Sequence, residues 1–351
     1  MKIALVAPPF IAVPPKKYGG TELFVAELAE QLQQEGVKVV LYANGKSTAP
    51  VETRWIYEEE DWPLQSEPEA SLKGLAHVAW AIRDAVREAD VIHLNSAPGL
   101  SFSYFVNKPF VCTVHHAYER SLTEYYAKLP DIHYVTISDF QRQKLTMPHL
   151  RTIHHGIKPS QYQLKETKQP YLCFLGRVAP PKGTHLAVEI AKKSGIALKI
   201  AGEIQPVYQD YWESQVKPHV DGKFIEYVGQ LGPEEKNELL GNSRALLFPI
   251  QWDEPFGLVM IEAMACGTPV LALQGGSVME IVKEGVAGHV RNSIDELAEC
   301  SRNLKIAPAD VRRYMEENFS VQRMAGDYHK LYSEIVSGIV RRSGEPETMV
   351  A

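Results

Sequence analysis

Short apolar runs alternate with longer amphipathic stretches along the chain. KIALVAP, TELFVAELAEQLQQEG, VKVVLYA, a stretch ending in HVAWAIRDAVREAD, and VIHLNS read as strand, helix, strand, helix, strand. PFVCTVHH and IHYVTIS follow as further short runs rich in β-branched residues. Runs this apolar suit strands buried on both faces, so a mostly parallel sheet covered by helices is expected. The segment from Val51 to Leu72, broken by Pro and Trp and rich in acids, reads as a connection.

After RTIHHGI the periodicity stops in KPSQYQLKETKQP, which reads as an interdomain linker and hinge over residues 158–169. It restarts with YLCFLGRV, HLAVEIAKKSG, ALKIAGE, FIEYVGQ, EEKNELLGNSR, ALLFPI, VMIEAMACG and TPVLAL. This is a second doubly wound pattern. The tail from Ala309 to Arg342 has helical spacing, with Tyr314, Phe319, Met324, Tyr328, Leu331 and Ile335 apolar. The expected domains are residues 1–160, 161–320 and a final helix, 321–351, crossing back to the first domain.

Length agrees, since 351 residues exceed what one core usually organises. A net charge of −6 without clustered Lys or Arg weighs against nucleic acid as a partner. MKIALVAPPF is too short and Pro-interrupted for a signal peptide, and no run of 18 apolar residues suggests a membrane span. Peripheral membrane contact stays open. Cys112, Cys173, Cys266 and Cys300 are dispersed and suggest neither a metal site nor a disulfide framework, which fits a reduced cytoplasm.

The residues with chemical promise lie at the ends of expected strands. In DEPFGLVMIEAMACGTPV, Pro255 suits the first turn of a helix, and Gly257 permits close approach of a ligand to the backbone. The amides of Phe256, Gly257, Leu258 and Val259 would leave the helix start toward an anion or hydroxyls. Glu254 and Glu262 flank that start, either as ligand contacts or as a dipole partner and a solvated residue. In GRVAPPKG, Arg177 and Lys182 bracket a turn and could neutralise a diphosphate, or merely be solvated. Gly19 and Gly20 of YGGTE form a turn into a helix, with Thr21 as an alternative N-cap, and the spacing is not that of a dinucleotide fingerprint. His115 and His116 stand at a strand's C-terminal end, and the register favours His115. Gly202 and Leu231 sit at strand ends that could flank a base.

GRVAPPKG, IAGE, YVGQL, EPFGLVMIEAMACGTPV and GGSVMEIV, in that order, resemble glycosyltransferase family 4, with YGGTELFVAELAEQL and TVHH as first-domain pieces. The resemblance covers nearly the whole chain and is densest from Tyr171 to Val290. It implies the GT-B fold, two Rossmann-like domains facing a central cleft, and a retaining enzyme that uses a nucleotide-sugar donor. In that role Arg177 and Lys182 would hold the diphosphate, Glu254 with the backbone of Phe256 and Gly257 the sugar hydroxyls, and Glu262 the ribose. His115 would face the sugar, Gly19 and Gly20 the diphosphate or acceptor, and Leu231 the base.

The resemblance also implies that the acceptor attacks from the leaving group's face, with a donor phosphate oxygen taking its proton. Two cations and a helix start would stand in for a metal, so no metal or cofactor is expected. Uracil is the family's commonest base, with guanosine and adenosine diphosphate sugars as alternatives. The acceptor could be a carbohydrate, a glycolipid or a small molecule. A nucleotide-sugar epimerase or a non-catalytic nucleotide-sugar-binding protein is the rival reading.

Overall fold

A computed structural model describes residues 1–17, 19–62 and 67–338 of the chain. It falls into two compact units. Among the described residues, the first comprises Met1–Pro15, Gly19–His154 and Val321–Gly338; the second comprises His155–Ser320 with Lys16 and Lys17.

The first unit holds β1 (Lys2–Val6), α1 (Gly20–Gln34), β2 (Lys38–Tyr42), β3 (Glu52–Arg54), α2 (Glu67–Ala85), β4 (Val91–Leu94), β5 (Phe110–Val114), α3 (Arg120–Tyr126), β6 (His133–Thr136), α4 (Asp139–Arg142) and β7 (Leu150–Thr152). Its strands form one parallel sheet in the order β3-β2-β1-β4-β5-β6-β7. The period of two along each strand divides the core. Ile3 and Leu5 point to a cluster with Phe24, Leu28 and Leu32 of α1, whereas Ala4 and Val6 point to one with Val78, Ala81 and Ile82 of α2. Both faces are covered, which is why these strands read as unbroken apolar runs.

The second unit contains β8 (Tyr171–Leu175), α5 (Thr184–Ser194), β9 (Ala197–Ala201), the three-residue α6 (Gln209–Tyr211), β10 (Ile225–Gly229), α7 (Pro233–Asn242), β11 (Ala245–Phe248), α8 (Leu258–Ala265), β12 (Val270–Leu273), α9 (Val278–Ile281), β13 (Gly288–Arg291), α10 (Ile294–Asn303) and α11 (Pro308–Phe319). Its parallel sheet runs β10-β9-β8-β11-β12-β13. Leu172, Phe174, Leu198 and Ile200 pack with Ala187, Ile190 and Ala191 of α5 and Leu297 of α10.

Three details differ from the sequence expectations. The supposed connection from Val51 contains the edge strand β3 and the start of α2. β3 has no apolar alternation; it is held by parallel pairing with β2 and by Arg54, which bonds Asp84 at 2.5 Å. The polar run 158–169 is fastened to the second unit rather than free. Lys168 donates to the carbonyls of Gly241 and Cys266 at 2.8 and 3.0 Å, and Arg312 donates to that of Pro159 at 2.9 Å. Lys168 thus caps carbonyls at the ends of α7 and α8, and Arg312 caps one in the run, partnerships that periodicity does not reveal.

The helical tail is two helices broken at Ser320: α11 belongs to the second unit and α12 (Val321–Val336) to the first. Met324, Tyr328, Leu331 and Ile335 complete the core against α1. The expected final helix to residue 351 extends beyond the described residues. Among the described residues, no helix is long and apolar enough to cross a membrane.

Candidate functional site

The second unit gathers its candidate residues by knitting together two loops at the C-terminal ends of β8 and β11. A short 3-10 turn, Pro180–Lys182, ends at Gly183 with φ of 71°, and a Cβ there would stand 1.9 Å from the carbonyl oxygen of Pro249. Only glycine fits that approach. The Gln251 amide donates to the Pro181 carbonyl at 2.8 Å and closes the junction.

Across this junction Lys182 Nζ lies 2.5 Å from Glu254 Oε2, with both side chains largely buried. Trp252 Nε1 donates to the same oxygen at 2.8 Å, and Lys182 Nζ lies 4.6 Å from the centre of the Trp252 ring. Glu254 is therefore neither solvated nor simply a dipole partner. It is the anion of a buried pair, 72 residues distant in sequence from its cation.

The loop bearing Glu254 is clamped from behind. Gly276, with φ of 53°, brings its Cα so near that a Cβ would meet the Glu254 backbone at 2.2 Å. The Ser277 amide donates to the Glu254 carbonyl, and Ser277 Oγ to that of Phe256, both at 2.9 Å. Gly257 is left-handed, φ 82°, and caps α8. The helix thus begins at Leu258, and Pro255 precedes the first turn instead of occupying it, a correction to the sequence reading. The amides of Leu258 and Val259 have no partner among the described residues. The Phe256 ring is buried, edge-on to His155 at 5.0 Å, so any contact it offers a ligand is through the backbone.

Glu262, one helical stretch further on, is only 6% exposed. Its Oε1 accepts from Tyr162 Oη at 3.0 Å and from Lys236 Nζ, while Oε2 has no partner among the described residues. A buried carboxylate needs such donors, and two leave half of it available. Arg177 follows β8, with Nη1 3.4 Å from Gln205 Oε1. Gly202 has φ of 146°, and a Cβ there would lie 1.8 Å from the Gly176 carbonyl oxygen. Strand packing alone thus requires Gly202 to be glycine, so a base contact is not needed to explain it. Leu231 is half-buried in the turn before α7.

In the first unit, His115 follows β5 and Asn95 follows β4. Asn95 Nδ2 donates to the Val6 carbonyl at 3.0 Å, which turns Oδ1 toward His115 Nε2 at 2.9 Å. Burial holds the His115 pKa down to about 3, with the neighbouring His116 adding to the effect. The neutral ring therefore donates through Nε2 and keeps Nδ1 as its acceptor nitrogen. His116 is engaged at both nitrogens, by the Ala117 carbonyl at 2.6 Å and Tyr126 Oη at 2.7 Å.

Beneath His115 runs a buried chain: Tyr332 Oη to His93 Nδ1 at 2.7 Å, His93 Nε2 to Thr113 Oγ1 at 2.8 Å, and Thr113 Oγ1 to Tyr328 Oη at 2.7 Å. Gly19, φ 146°, is the N-cap of α1, and Gly20 and Thr21 are already helical, so Thr21 is not the cap. Glu22 is buried in that first turn, its pKa raised by desolvation to about 7.

Sequence reasoning did not single out Trp252, Lys236, Tyr162, Gly276, Ser277 or Asn95. Gly276 and Ser277 lay within a quoted motif, GGSVMEIV, that could have marked them. Lys236, Tyr162 and Asn95 carry no local signal, because each is defined by a partner distant in sequence, whereas Trp252 stands two residues before Glu254 and could have been marked by the motif around that residue.

Residues 18–172 match the model for Glycosyltransferase Family 4, and residues 158–319 that for Glycosyl transferases group 1. The glycogen synthase of Mycobacterium tuberculosis is 26% identical over 294 residues, 69% of this chain and 68% of that protein. The crystal structure of AviGT4, a glycosyltransferase involved in avilamycin A biosynthesis, superposes with a TM-score of 0.72 at 24% identity, covering 96% of this chain and 98% of that one. Anabaena Alr3699/HepE, solved in complex with UDP and glucose, gives 0.74 at 19%, covering 95% and 100%. The two structural likenesses establish fold alone. With the two models matched in order from residue 18 to residue 319, the chain belongs to the GT-B glycosyltransferases of group 1 and family 4.

Proposed function

We propose that this glycosyltransferase moves a hexosyl group from a nucleoside diphosphate sugar, with UDP as the leaving group, to a carbohydrate, glycolipid or small-molecule acceptor. The configuration at the anomeric carbon is retained and no metal takes part. The observation that carries this reading is the buried Lys182–Glu254 pair at the start of α8. A diphosphate would draw Lys182 away and, with Arg177, have its charge offset, while Glu254 and the amides of Leu258 and Val259 would receive sugar hydroxyls and developing charge. Glu262, with Oε2 unpaired, would take the ribose hydroxyls.

As the bond from the anomeric carbon to phosphate oxygen breaks, the acceptor oxygen bonds to that carbon on the same face. Its proton passes to an oxygen of the departing diphosphate. His115, neutral at working pH, would accept a hydrogen bond from a sugar hydroxyl without changing charge. HepE, similarly folded, was solved with UDP and glucose, which agrees with the proposed donor base.

The test is nucleoside diphosphate release from UDP-, GDP- and ADP-glucose in EDTA, with a panel of saccharide, glycolipid and small-molecule acceptors. Acceptor-dependent release of UDP, with the new bond retaining the donor's configuration, is expected. Release only after a divalent metal is restored, or inversion, would reject that part of the reading.

A further inference from the structure

We infer that Trp252 is a positioning residue for donor binding: its indole N–H holds Glu254 for the sugar, while its ring face holds Lys182 until a diphosphate claims it. This rests on the donor reading above. Glu254 Oε2 accepts two hydrogen bonds, one charged, from Lys182 at 2.5 Å, and one neutral, from Trp252 Nε1 at 2.8 Å. Oε1 has no partner among the described residues. The carboxylate is therefore held through one oxygen and open through the other.

The two donors cannot behave alike when a diphosphate arrives. Lys182 is a mobile ammonium on a flexible stem and moves to the stronger anion. Trp252 is neutral and gains nothing from the diphosphate, so it stays. If Lys182 were the sole donor, its departure would leave a buried carboxylate without a hydrogen bond and free its rotamer. With Trp252 in place, Oε2 keeps a donor, and Glu254 stays aimed while Oε1 accepts a sugar hydroxyl.

The ring does a second task. Lys182 Nζ lies 4.6 Å from its centroid, within cation–π range. Trp252 is itself fixed, since the Glu254 amide donates to its carbonyl at 3.0 Å and the Gln251 amide ties the same loop to Pro181.

Trp252→Phe separates the two tasks, because phenylalanine keeps a ring face and lacks the N–H. Calorimetric titration of wild type and variant with UDP, GDP and ADP and with their glucose conjugates reads them independently. In the variant, the free diphosphate that binds wild type is expected to bind within about twofold of its original affinity, because Arg177 and Lys182 remain. Its glucose conjugate is expected to weaken by tenfold or more, since only the sugar contact depends on an aimed Glu254. Trp252→Ala, lacking the ring as well, is expected to weaken the glucose conjugate likewise and to bind the free diphosphate at least as tightly as wild type, since Lys182 then has no ring contact to give up.

Unchanged affinities for both ligands in Trp252→Phe, or equal weakening of both, would overturn the positioning role. Failure of the wild type to bind any of the six ligands would instead overturn the donor reading. An independent reading needs no Trp252 variant. In protein labelled with 5-fluorotryptophan, Lys182→Met should shift one of five resonances, and UDP added to wild type should shift that same one. Silence of that resonance on UDP binding would contradict the exchange of Lys182 from ring to diphosphate.

Discussion

Lys182 is the residue on which most of the proposed chemistry converges, and it is already half-committed to Glu254. Replacing it with Ala removes a cation from the developing diphosphate charge and should cost about 2–4 kcal/mol of transition-state stabilisation, tens- to several-hundredfold in kcat/KM. Steady-state rates beside a melting curve check this, and near-normal turnover in a folded variant would remove Lys182 from the role.

Glu22 makes a different, pH-dependent prediction. Its folded pKa, about 7, is raised above its ordinary value of 4.5, so it contributes stability below pH 4.5 that is lost as pH rises through 7. Glu22→Gln should therefore stabilise the protein at pH 8, by on the order of 1–3 kcal/mol, and much less at pH 5. Thermal melts at the two pH values decide it. His77, His93 and His115 have the opposite sign: burial depresses them to about 4, 3 and 3, so their neutral forms support the fold above pH 6.5 and that support fades as pH falls.

At the scale of elements, what aims these side chains is glycine at two loop junctions. Gly276 has left-handed φ and no room for a Cβ against the Glu254 backbone. Gly276→Ala should displace the loop carrying Glu254 and weaken the sugar's contribution to donor binding at least tenfold, with a few degrees lost in Tm; titration with a diphosphate and its sugar conjugate measures it. The strands and long helices were legible from sequence because each buries a face with its own period, as in KIALVAP and TELFVAELAEQLQQEG. β3 was not, since a three-residue edge strand needs only backbone partners. The candidate residues Arg177, Lys182, Glu254 and Glu262 were legible as types at strand and helix ends. Their pairings were not, because Glu262 meets a tyrosine 100 residues away in a stretch that looks like a linker.

For the whole molecule, α12 brings the chain back to the unit in which it began. α12 supplies Met324, Tyr328, Leu331 and Tyr332 to the first unit, and its two tyrosines terminate the polar chain through His93 and Thr113. Truncation after Ser320 should therefore unfold the first unit, exposing apolar side chains worth about 1.5–3 kcal/mol each when buried and leaving His93 Nδ1 without its tyrosine partner. Circular dichroism and limited proteolysis would show a protected core from the second unit alone; a truncated chain as resistant as the full one would contradict that dependence.

The proposed donor site rests on binding of a nucleoside diphosphate by the second unit, through Arg177, Lys182 and Glu262, without a metal. Calorimetric titration with UDP, GDP, ADP and TDP in EDTA, repeated on Glu262→Ala, tests it most directly. Selective binding of UDP that survives the chelator and weakens at least tenfold in the variant is expected. Absence of binding by all four diphosphates, or an affinity indifferent to Glu262, would contradict it.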